Sequence, residues 1–387
     1  MAAFKPNIDE AVLLASFPPA DIPEAALDIT GGFGWKEFLA AAHREGLAQL
    51  VYYNHRQPIK QGRIPPHAAA HLEKAYFAVL ARNTVVLQKL AELSAALAGI
   101  DLIPLKGAFL ASDVYASPGL RPFSDIDILV RRTHFPTADE RLTQLGYEPI
   151  ATVEDRSVIP AESAFLNSVM YRDKGTGPAL HVHWHLLNTT LPRYLNTTLD
   201  MNEIWKAAKP STDAALELCP EHLLIHLSEH ALRHSFDRLI LLRDIAEVIM
   251  KLGPEIDWER LVHDSVRFNL NYAVYYSMVF ASRGTGVHVP DSAITALHSD
   301  GPGWCGRLFM KLTTSGRRSP ELCNLAYLDN ITSFRDKAAY VRQMLFPPRH
   351  VLAHAYGKER CEIGPAFYAL RLLRGLRRVL RPFKRKP

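Results

Sequence analysis

The chain has 387 residues, of which 48% are hydrophobic and 22% are charged. This is the composition of a globular protein, and it excludes a disordered chain, a collagen and a coiled-coil rod. The formal net charge is +5, but the last 17 residues hold eight basic residues and no acidic one. The rest of the chain is therefore mildly acidic, which is unlike a protein built wholly around nucleic acid.

The four cysteines are too few and too widely spaced for a disulfide scaffold, and none forms a Cys-x-x-Cys pair that would indicate a zinc site. The first residues show no basic start followed by a long apolar run. No stretch of about 18 uninterrupted apolar residues follows elsewhere. We therefore expect a soluble, cytoplasmic protein without a membrane-spanning helix.

The N-terminal part has apolar residues at helical spacing in residues 35–55 and again in residues 66–97. The pattern then changes to a short apolar run, residues 100–105, followed by Lys106 and Gly107. This order predicts a strand, a tight turn and a helix.

Further along, residues 123–130 alternate between polar and apolar and predict a strand, and residues 133–145 predict a helix. Residues 164–171 and 179–184 predict two more strands, and from about residue 205 the patterns are helical almost to the end. We therefore predict the α+β class. The three predicted parts are an N-terminal helical region, a compact α/β core and a C-terminal helical domain with a basic tail, at residues 1–99, 100–195 and 196–387.

Two aspartates in the predicted strand, Asp125 and Asp127, stand two residues apart, so their side chains point to the same face. Adjacent carboxylates repel one another unless a cation lies between them, and oxygen ligands of this kind suit Mg²⁺. A metal held there could clamp the oxygens of a phosphate group during its transfer. An isolated Asp-x-Asp is more often a strand edge that shows two carboxylates to water, and that alternative stays open.

The residues around the two aspartates add to the evidence for a phosphate site. Gly107 allows close approach of the backbone at the start of a predicted helix, and Lys106 adds a positive charge there. Arg121 could bind a triphosphate with its planar guanidinium. Taken singly, a turn glycine and a surface arginine are the simpler explanations, but their combination with the paired aspartates favours a phosphate site.

The segment from Leu105 to Val130, LKGAFLASDVYASPGLRPFSDIDILV, resembles the uncharacterised nucleotidyltransferase family. That family is a distant branch of the superfamily that includes DNA polymerase beta. Its pattern of Leu-Lys-Gly, Arg, Asp-Ile-Asp-Leu-Leu-Val and a helix ending in Leu-Gly-Tyr is matched by residues 105–107, 121, 125–130 and 145–147. A later His-Trp element is matched by His183 and Trp184, and the flanking helical segments follow the family's order.

The resemblance implies a nucleotidyltransferase fold, in which helices flank a small mixed sheet. It implies a Mg²⁺ or Mn²⁺ cofactor held by Asp125 and Asp127. The implied reaction is attack of an unknown acceptor's hydroxyl or phosphate on the α-phosphorus of an NTP, with release of pyrophosphate. The residues implied to bind the substrate are Lys106, Gly107, Arg121 and His183.

The superfamily normally adds a third carboxylate from a later strand. The matching position here, two residues before His183, is His181. We therefore expect His181 to be the third catalytic residue beside the two aspartates, where it would accept a proton or bind the metal. The alternative is that another acid, such as Glu162 or Asp173, fills this place.

Four histidines at intervals of four residues would form one stripe on a helix. They are His222, His226, His230 and His234. Two of them could bind one metal, but the sequence lacks the His-Glu-x-x-His arrangement of zinc proteases. We favour packing of some of them against the predicted helix of Arg243 and Asp244, or lining of the active-site cleft.

Between Tyr368 and Phe383, leucines and arginines recur at helical spacing, which predicts a basic amphipathic helix. Such a helix could bind an anionic membrane surface, a nucleic acid or an acidic partner. The simpler alternative is a terminal helix docked on the body of the protein, with its arginines in water.

Three functions compete. The first is metal-dependent nucleotidyl transfer to a small-molecule, glycan or protein acceptor. The second is a non-catalytic nucleotide-binding or scaffold protein, which the missing third carboxylate permits. The third and least favoured is an Asp-x-Asp glycosyltransferase, which would need a longer doubly wound domain before its aspartates.

Overall fold

A computed structural model of the protein describes residues 7–18, 32–150, 167–175, 177–187, 198–211, 215–316, 319–349, 352, 356 and 362–380. Within these residues no helix is both long and apolar enough to cross a membrane.

The first described elements are helices. They are α1 (Ile8–Ala15), α2 (Trp35–Glu45), α3 (Ala48–Asn54), α4 (Arg56–Lys60) and α5 (Pro66–Ala96). α5 begins with Pro66 at its first position, where the missing N–H of proline is no loss. The helical pattern of residues 35–55 is divided, because Gly46 ends α2 in a left-handed conformation with φ of 73°.

A five-stranded sheet follows, with two helices between its strands. The elements are β1 (Leu102–Pro104), α6 (Lys106–Phe109), β2 (Asp125–Val130), α7 (Phe135–Gln144), β3 (Tyr147–Pro149), β4 (Ser168–Asp173) and β5 (Ala179–His183). The strand order is β1-β2-β5-β4-β3, with β2 and β5 parallel and the other neighbours antiparallel. This mixed sheet with flanking helices confirms the predicted α+β class.

The described C-terminal part is helical, apart from a two-stranded ribbon of β6 (Lys209–Pro210) and β7 (Leu216–Glu217). Its helices are α8 (Met201–Ala207), α9 (Pro220–Arg233), α10 (Leu239–Leu252), α11 (Trp258–Arg267), α12 (Asn271–Thr285), α13 (Asp291–Leu297), α14 (Trp304–Thr314), α15 (Cys323–Asn330), α16 (Phe334–Leu345) and α17 (Pro365–Leu380). α9 packs against α10, α11 and α12.

The two faces of the sheet are buried in two separate cores. Side chains alternate along β2, so Ile126 and Ile128 join the core formed with α5 and α7. Leu129 joins the other core, to which α9, α10, α12 and the first helices contribute. Asp127 alternates to the same face as Leu129, and it is buried there. A carboxylate is therefore buried on the same face of the sheet as the second core.

A buried ion pair ties α10 to the segment before β2. Arg121 Nη2 lies 2.6 Å from Asp244 Oδ2, and Arg121 Nε lies 3.0 Å from Asp244 Oδ1. The Tyr115 hydroxyl donates to the same carboxylate at 2.9 Å. Both charged side chains are almost fully buried, so each offsets the lost hydration of the other.

We expect Asp244→Ala to lower the free energy of unfolding by about 3–5 kcal/mol, because it leaves the Arg121 charge buried without its partner. The more exposed pair of Arg131 and Asp101 provides the control, and Asp101→Ala should cost at most about 1 kcal/mol. Urea denaturation followed by circular dichroism measures both losses. Equal losses in the two variants would show that the buried pair does not tie α10 to the sheet.

Candidate active site

The turn between β1 and α6 places Lys106 against the sheet. Its φ of 47° lies in the left-handed region, which a lysine adopts only where the surrounding structure imposes it. A backbone hydrogen bond of 2.9 Å from the Leu105 N–H to the Asp127 carbonyl holds the turn against β2. The Lys106 ammonium thereby reaches the Asp127 carboxylate, with Nζ 2.8 Å from Oδ1.

Packing explains why residue 107 is a glycine. A Cβ at Gly107 would lie 2.4 Å from the Cβ of Phe123, so a larger residue would displace the segment that leads into β2. The sequence predicts this glycine as a place of close phosphate approach, whereas the close approach in the structure is that of Phe123. Binding of substrate by Gly107 stays a prediction.

Asp127 is the centre of the candidate site, and its side chain is 8% exposed. Besides the contact with Lys106, its Oδ1 accepts a hydrogen bond of 2.7 Å from His183 Nε2. His181 Nδ1 lies 3.5 Å from the same oxygen. One carboxylate thus meets an ammonium and two imidazoles.

These neighbours keep the Asp127 carboxylate ionised. Burial alone would raise the pKa of this carboxyl, but the charge of Lys106 and the hydrogen bonds from His181 and His183 lower that pKa well below its usual range. Burial lowers the pKa of His183 to about 3, so its imidazole is neutral and donates the Nε2–H to the carboxylate. The site therefore holds a fixed negative charge beside one fixed positive charge.

The structure places His181 beside Asp127 on the neighbouring strand. The parallel pairing of β2 and β5 brings these two residues into register. His181 Nε2 lies 3.0 Å from Ser168 Oγ on β4, a contact that orients the ring. Of the alternative acids, Asp173 alternates to the opposite face of the sheet, and Glu162 lies outside the described residues.

Asp125 lies on the same strand face as Asp127, at the start of β2. It is half-buried, and its Oδ1 accepts a hydrogen bond of 3.0 Å from Ser124 Oγ. Asp127, His181 and His183 form a group whose possible metal-ligand atoms all lie within 4.8 Å of one another, in the part of the chain that the structure describes. Asp125 is outside this group, and metal binding by the pair of aspartates stays a prediction.

Arg121 lies close enough for the Asp127 charge to act on it, but its guanidinium is engaged elsewhere. Nε and Nη2 contact Asp244, and Nη1 donates to the Pro122 carbonyl at 2.7 Å. A contact between Arg121 and a triphosphate would require this ion pair to open. The role of Arg121 in substrate binding stays a prediction.

His222, His226 and His230 of the predicted stripe lie on α9, and His234 follows its last residue, with its ring against that of His230. His222 Nε2 lies 3.1 Å from Asp264 Oδ2, in a buried contact with α11. His230 Nδ1 lies 3.0 Å from Arg233 Nη2. α9 packs against α10, the helix of Arg243 and Asp244, but the polar contact of His222 is with α11.

His226 is different, and the sequence did not distinguish it from its neighbours. It is 2% exposed, and neither of its ring nitrogens has a hydrogen-bond partner within the described segments. Burial and then the charge of Lys106 lower the pKa of His226 well below its usual range, and His183 and Asp127 act on it as well. The charges of Lys106 and Asp127 therefore act on an unpartnered, buried imidazole of α9.

His183 has a further unpartnered ring nitrogen. Its Nε2 donates to Asp127, while its Nδ1 is buried without a partner among the residues that the structure describes. Buried polar atoms are nearly always hydrogen-bonded, so orphaned nitrogens beside a charged group indicate a place for a polar ligand. We therefore include His226 among the candidate site residues.

The family comparison agrees with this geometry. The model of a family described as an uncharacterised nucleotidyltransferase matches residues 31–286, a range that includes the five-stranded sheet and α9. The chain belongs to this nucleotidyltransferase family. No curated protein and no solved structure matched the chain.

Buried neutral histidines should make the stability of the fold depend on pH. Burial lowers the pKa of His185, just after β5, to about 4, although hydrogen bonds with the backbone of Leu199 and Leu187 act in the opposite direction. The unfolded chain takes up a proton at this residue near pH ~6.5. The folded chain takes it up only near pH ~4, so stability should fall as the pH drops from about 7 to 4.

His185→Gln should make this decrease shallower, because glutamine takes up no proton in the range. The surface substitution His288→Gln should leave the decrease unchanged. Urea denaturation at several pH values between about 7 and 5 measures the slopes. A slope in His185→Gln equal to that of the wild type would contradict the account.

Proposed function

We propose that this protein transfers a nucleoside monophosphate from an NTP to an acceptor and releases pyrophosphate, with a divalent metal ion as cofactor. The observation that carries the proposal is the buried, ionised Asp127, grouped with His181 and His183. Lys106 lies beside this group, and a lysine ammonium binds phosphate as a point charge. Membership of the nucleotidyltransferase family supports the same reaction.

The ligand atoms of the site indicate which metal ion it prefers. Mg²⁺ prefers oxygen ligands, whereas imidazole nitrogens suit transition metals. The carboxylate of Asp127 with the imidazoles of His181 and His183 therefore fits Mn²⁺ better than Mg²⁺, and Asp125 can supply a second carboxylate from the same strand face. When bound, the metal neutralises negative charge that develops on the phosphate being transferred.

Side chains of the site carry out the other steps of the transfer reaction. Lys106 binds the phosphates of the NTP and orients them beside Asp127. The acceptor oxygen attacks the α-phosphorus, while the bond from that phosphorus to the departing pyrophosphate breaks. A hydroxyl acceptor gives its proton to His181 only while that imidazole is not bound to the metal, because a coordinated imidazole has no lone pair left to accept one. An acceptor that is already ionised, such as a phosphate, would need no base.

Non-catalytic nucleotide binding is the second candidate. Two observations favour it: Lys106 already pairs with Asp127, and a histidine stands where the superfamily has a third acid. The glycosyltransferase alternative gains no support, since in the described residues β1 is the only strand that precedes β2.

Label transfer tests the proposal. The full chain is incubated with each labelled NTP, Mn²⁺ or Mg²⁺ and a cell lysate, and the labelled product is isolated. Asp127→Asn should reduce transfer at least about a hundredfold, because it removes a charged metal ligand with almost no change in volume. Asp125→Asn should also reduce it, whereas Asp113→Asn, at an exposed site, should not.

The outcomes of this experiment distinguish nucleotidyl transfer from non-catalytic nucleotide binding. Metal-dependent labelling that Asp127→Asn abolishes supports transfer. Binding of NTP without transfer to any molecule supports the non-catalytic alternative. Full activity of Asp127→Asn, with unchanged thermal stability, would contradict the assignment of the site.

His226 should contact the bound substrate. A ligand oxygen near His226 would accept a hydrogen bond from its buried N–H, and a ligand hydroxyl would donate to the unprotonated Nδ1 of His183. We expect His226→Phe to weaken binding of a non-hydrolysable NTP about tenfold or more, since a hydrogen bond to a charged group contributes about 1.5–3 kcal/mol. Isothermal titration calorimetry measures the Kd, with the exposed His288→Phe as control. Wild-type affinity in a folded His226→Phe protein would exclude this contact.

A further inference from the structure

The helix α17 lies beyond the family match at residues 31–286 and carries charge of one sign. From Arg371 to Pro387 the sequence has eight basic residues and no acidic one. The structure describes the side chains of its first part, residues 365–374, and these show how the helix is held.

One side of this first part is anchored on the protein. Arg371 donates from Nη1 to the Leu345 carbonyl at 3.0 Å and from Nη2 to the Met344 carbonyl at 3.1 Å, at the end of α16. The Tyr368 hydroxyl donates to the Pro347 carbonyl at 2.5 Å. An arginine of the basic helix therefore turns towards the protein.

Two of the three leucines in the same segment turn outward, while Leu372 is half-buried. Leu370 is 48% exposed and Leu373 is 54% exposed, and they lie three residues apart on the helix. Beside the anchor, Leu345 and Phe346 are also exposed, at 41% and 53%. A helix that only docked on the protein would turn its leucines inward and leave polar side chains exposed. Leu370 and Leu373 are exposed instead, so the outward surface here is apolar.

We propose that α17 is a membrane-surface helix, which lies on an anionic lipid bilayer with Leu370 and Leu373 inserted between the headgroups. The basic residues complement the negative charge of the headgroups, and the acyl chains accept the leucines. A nucleic acid would complement the charge, but its phosphate backbone offers no apolar surface to the leucines. The association is peripheral, and it is independent of the proposed reaction.

The test is sedimentation of the full-length protein with lipid vesicles of phosphatidylcholine alone or of phosphatidylcholine with phosphatidylglycerol. We expect binding to the anionic vesicles at low salt, a decline of binding as salt rises, and no binding to the neutral vesicles. Leu370→Glu combined with Leu373→Glu should weaken binding at least about tenfold, since it removes the apolar contact and adds negative charge.

The matched control is Met250→Glu combined with Val266→Glu. These residues are 45% and 52% exposed, on α10 and α11, and the double change adds the same charge to a different surface. It should bind vesicles as the wild type does, and thermal unfolding establishes that both double variants fold. A second variant, Arg374→Gln with Arg377→Gln, should lose affinity at low salt.

Three results would overturn the proposal. The wild type could fail to bind the anionic vesicles at low salt. The leucine variant could bind them as tightly as the control variant does. The wild type could also bind duplex DNA more tightly than the vesicles, which would assign the helix to nucleic acid.

Discussion

A carboxylate buried between the sheet and the helices is the constraint on which the rest of the structure depends. Removing the Asp127 charge from water costs several kcal/mol unless partners compensate for it. The Lys106 ammonium at 2.8 Å and the His183 imidazole at 2.7 Å provide that compensation. Both depend on the fold, since Lys106 needs a left-handed turn after β1 and His183 needs the parallel pairing of β5 with β2.

The helical part belongs to the site as much as the sheet does. The ion pair of Arg121 with Asp244 fixes α10 against the segment before β2, and α9 packs beside α10. His226 and Asp127 are both buried, and the charge of Asp127 acts on His226. A substrate in this place would meet charges in a poorly hydrated environment, where electrostatic contacts are stronger than in water.

Local patterns predicted much of the fold. Pro66 marks the start of α5, and the alternation of acids and isoleucines in residues 125–128 predicts both β2 and its two unlike faces. The α+β class followed from the order of the predicted elements, and the family from residues 105–130. These features depend on neighbours a few residues apart, which a sequence displays directly.

Features that depend on contacts between distant residues could not be predicted from the sequence. Arg121 looked like a free phosphate ligand, but its partner Asp244 is 123 residues away. Gly107 is explained by contact with Phe123, which a pattern of single residues does not show. His226 has the same four-residue spacing as His222. It differs because, among the described residues, a neighbouring helix supplies a hydrogen-bond partner to His222 and not to His226, which the spacing does not show. Nothing in the pattern around residues 147–149 predicted β3.

The most direct test of the account is a crystal structure with Mn²⁺ and a non-hydrolysable NTP, with the metal located by its anomalous scattering. The account predicts Mn²⁺ at a coordination distance of about 2.2 Å from Asp127 and from His181. It also predicts the triphosphate against Lys106, with the α-phosphate beside the metal. Mn²⁺ bound elsewhere, or a nucleotide that does not contact Lys106 or Asp127, would contradict the assignment of this group as the active site.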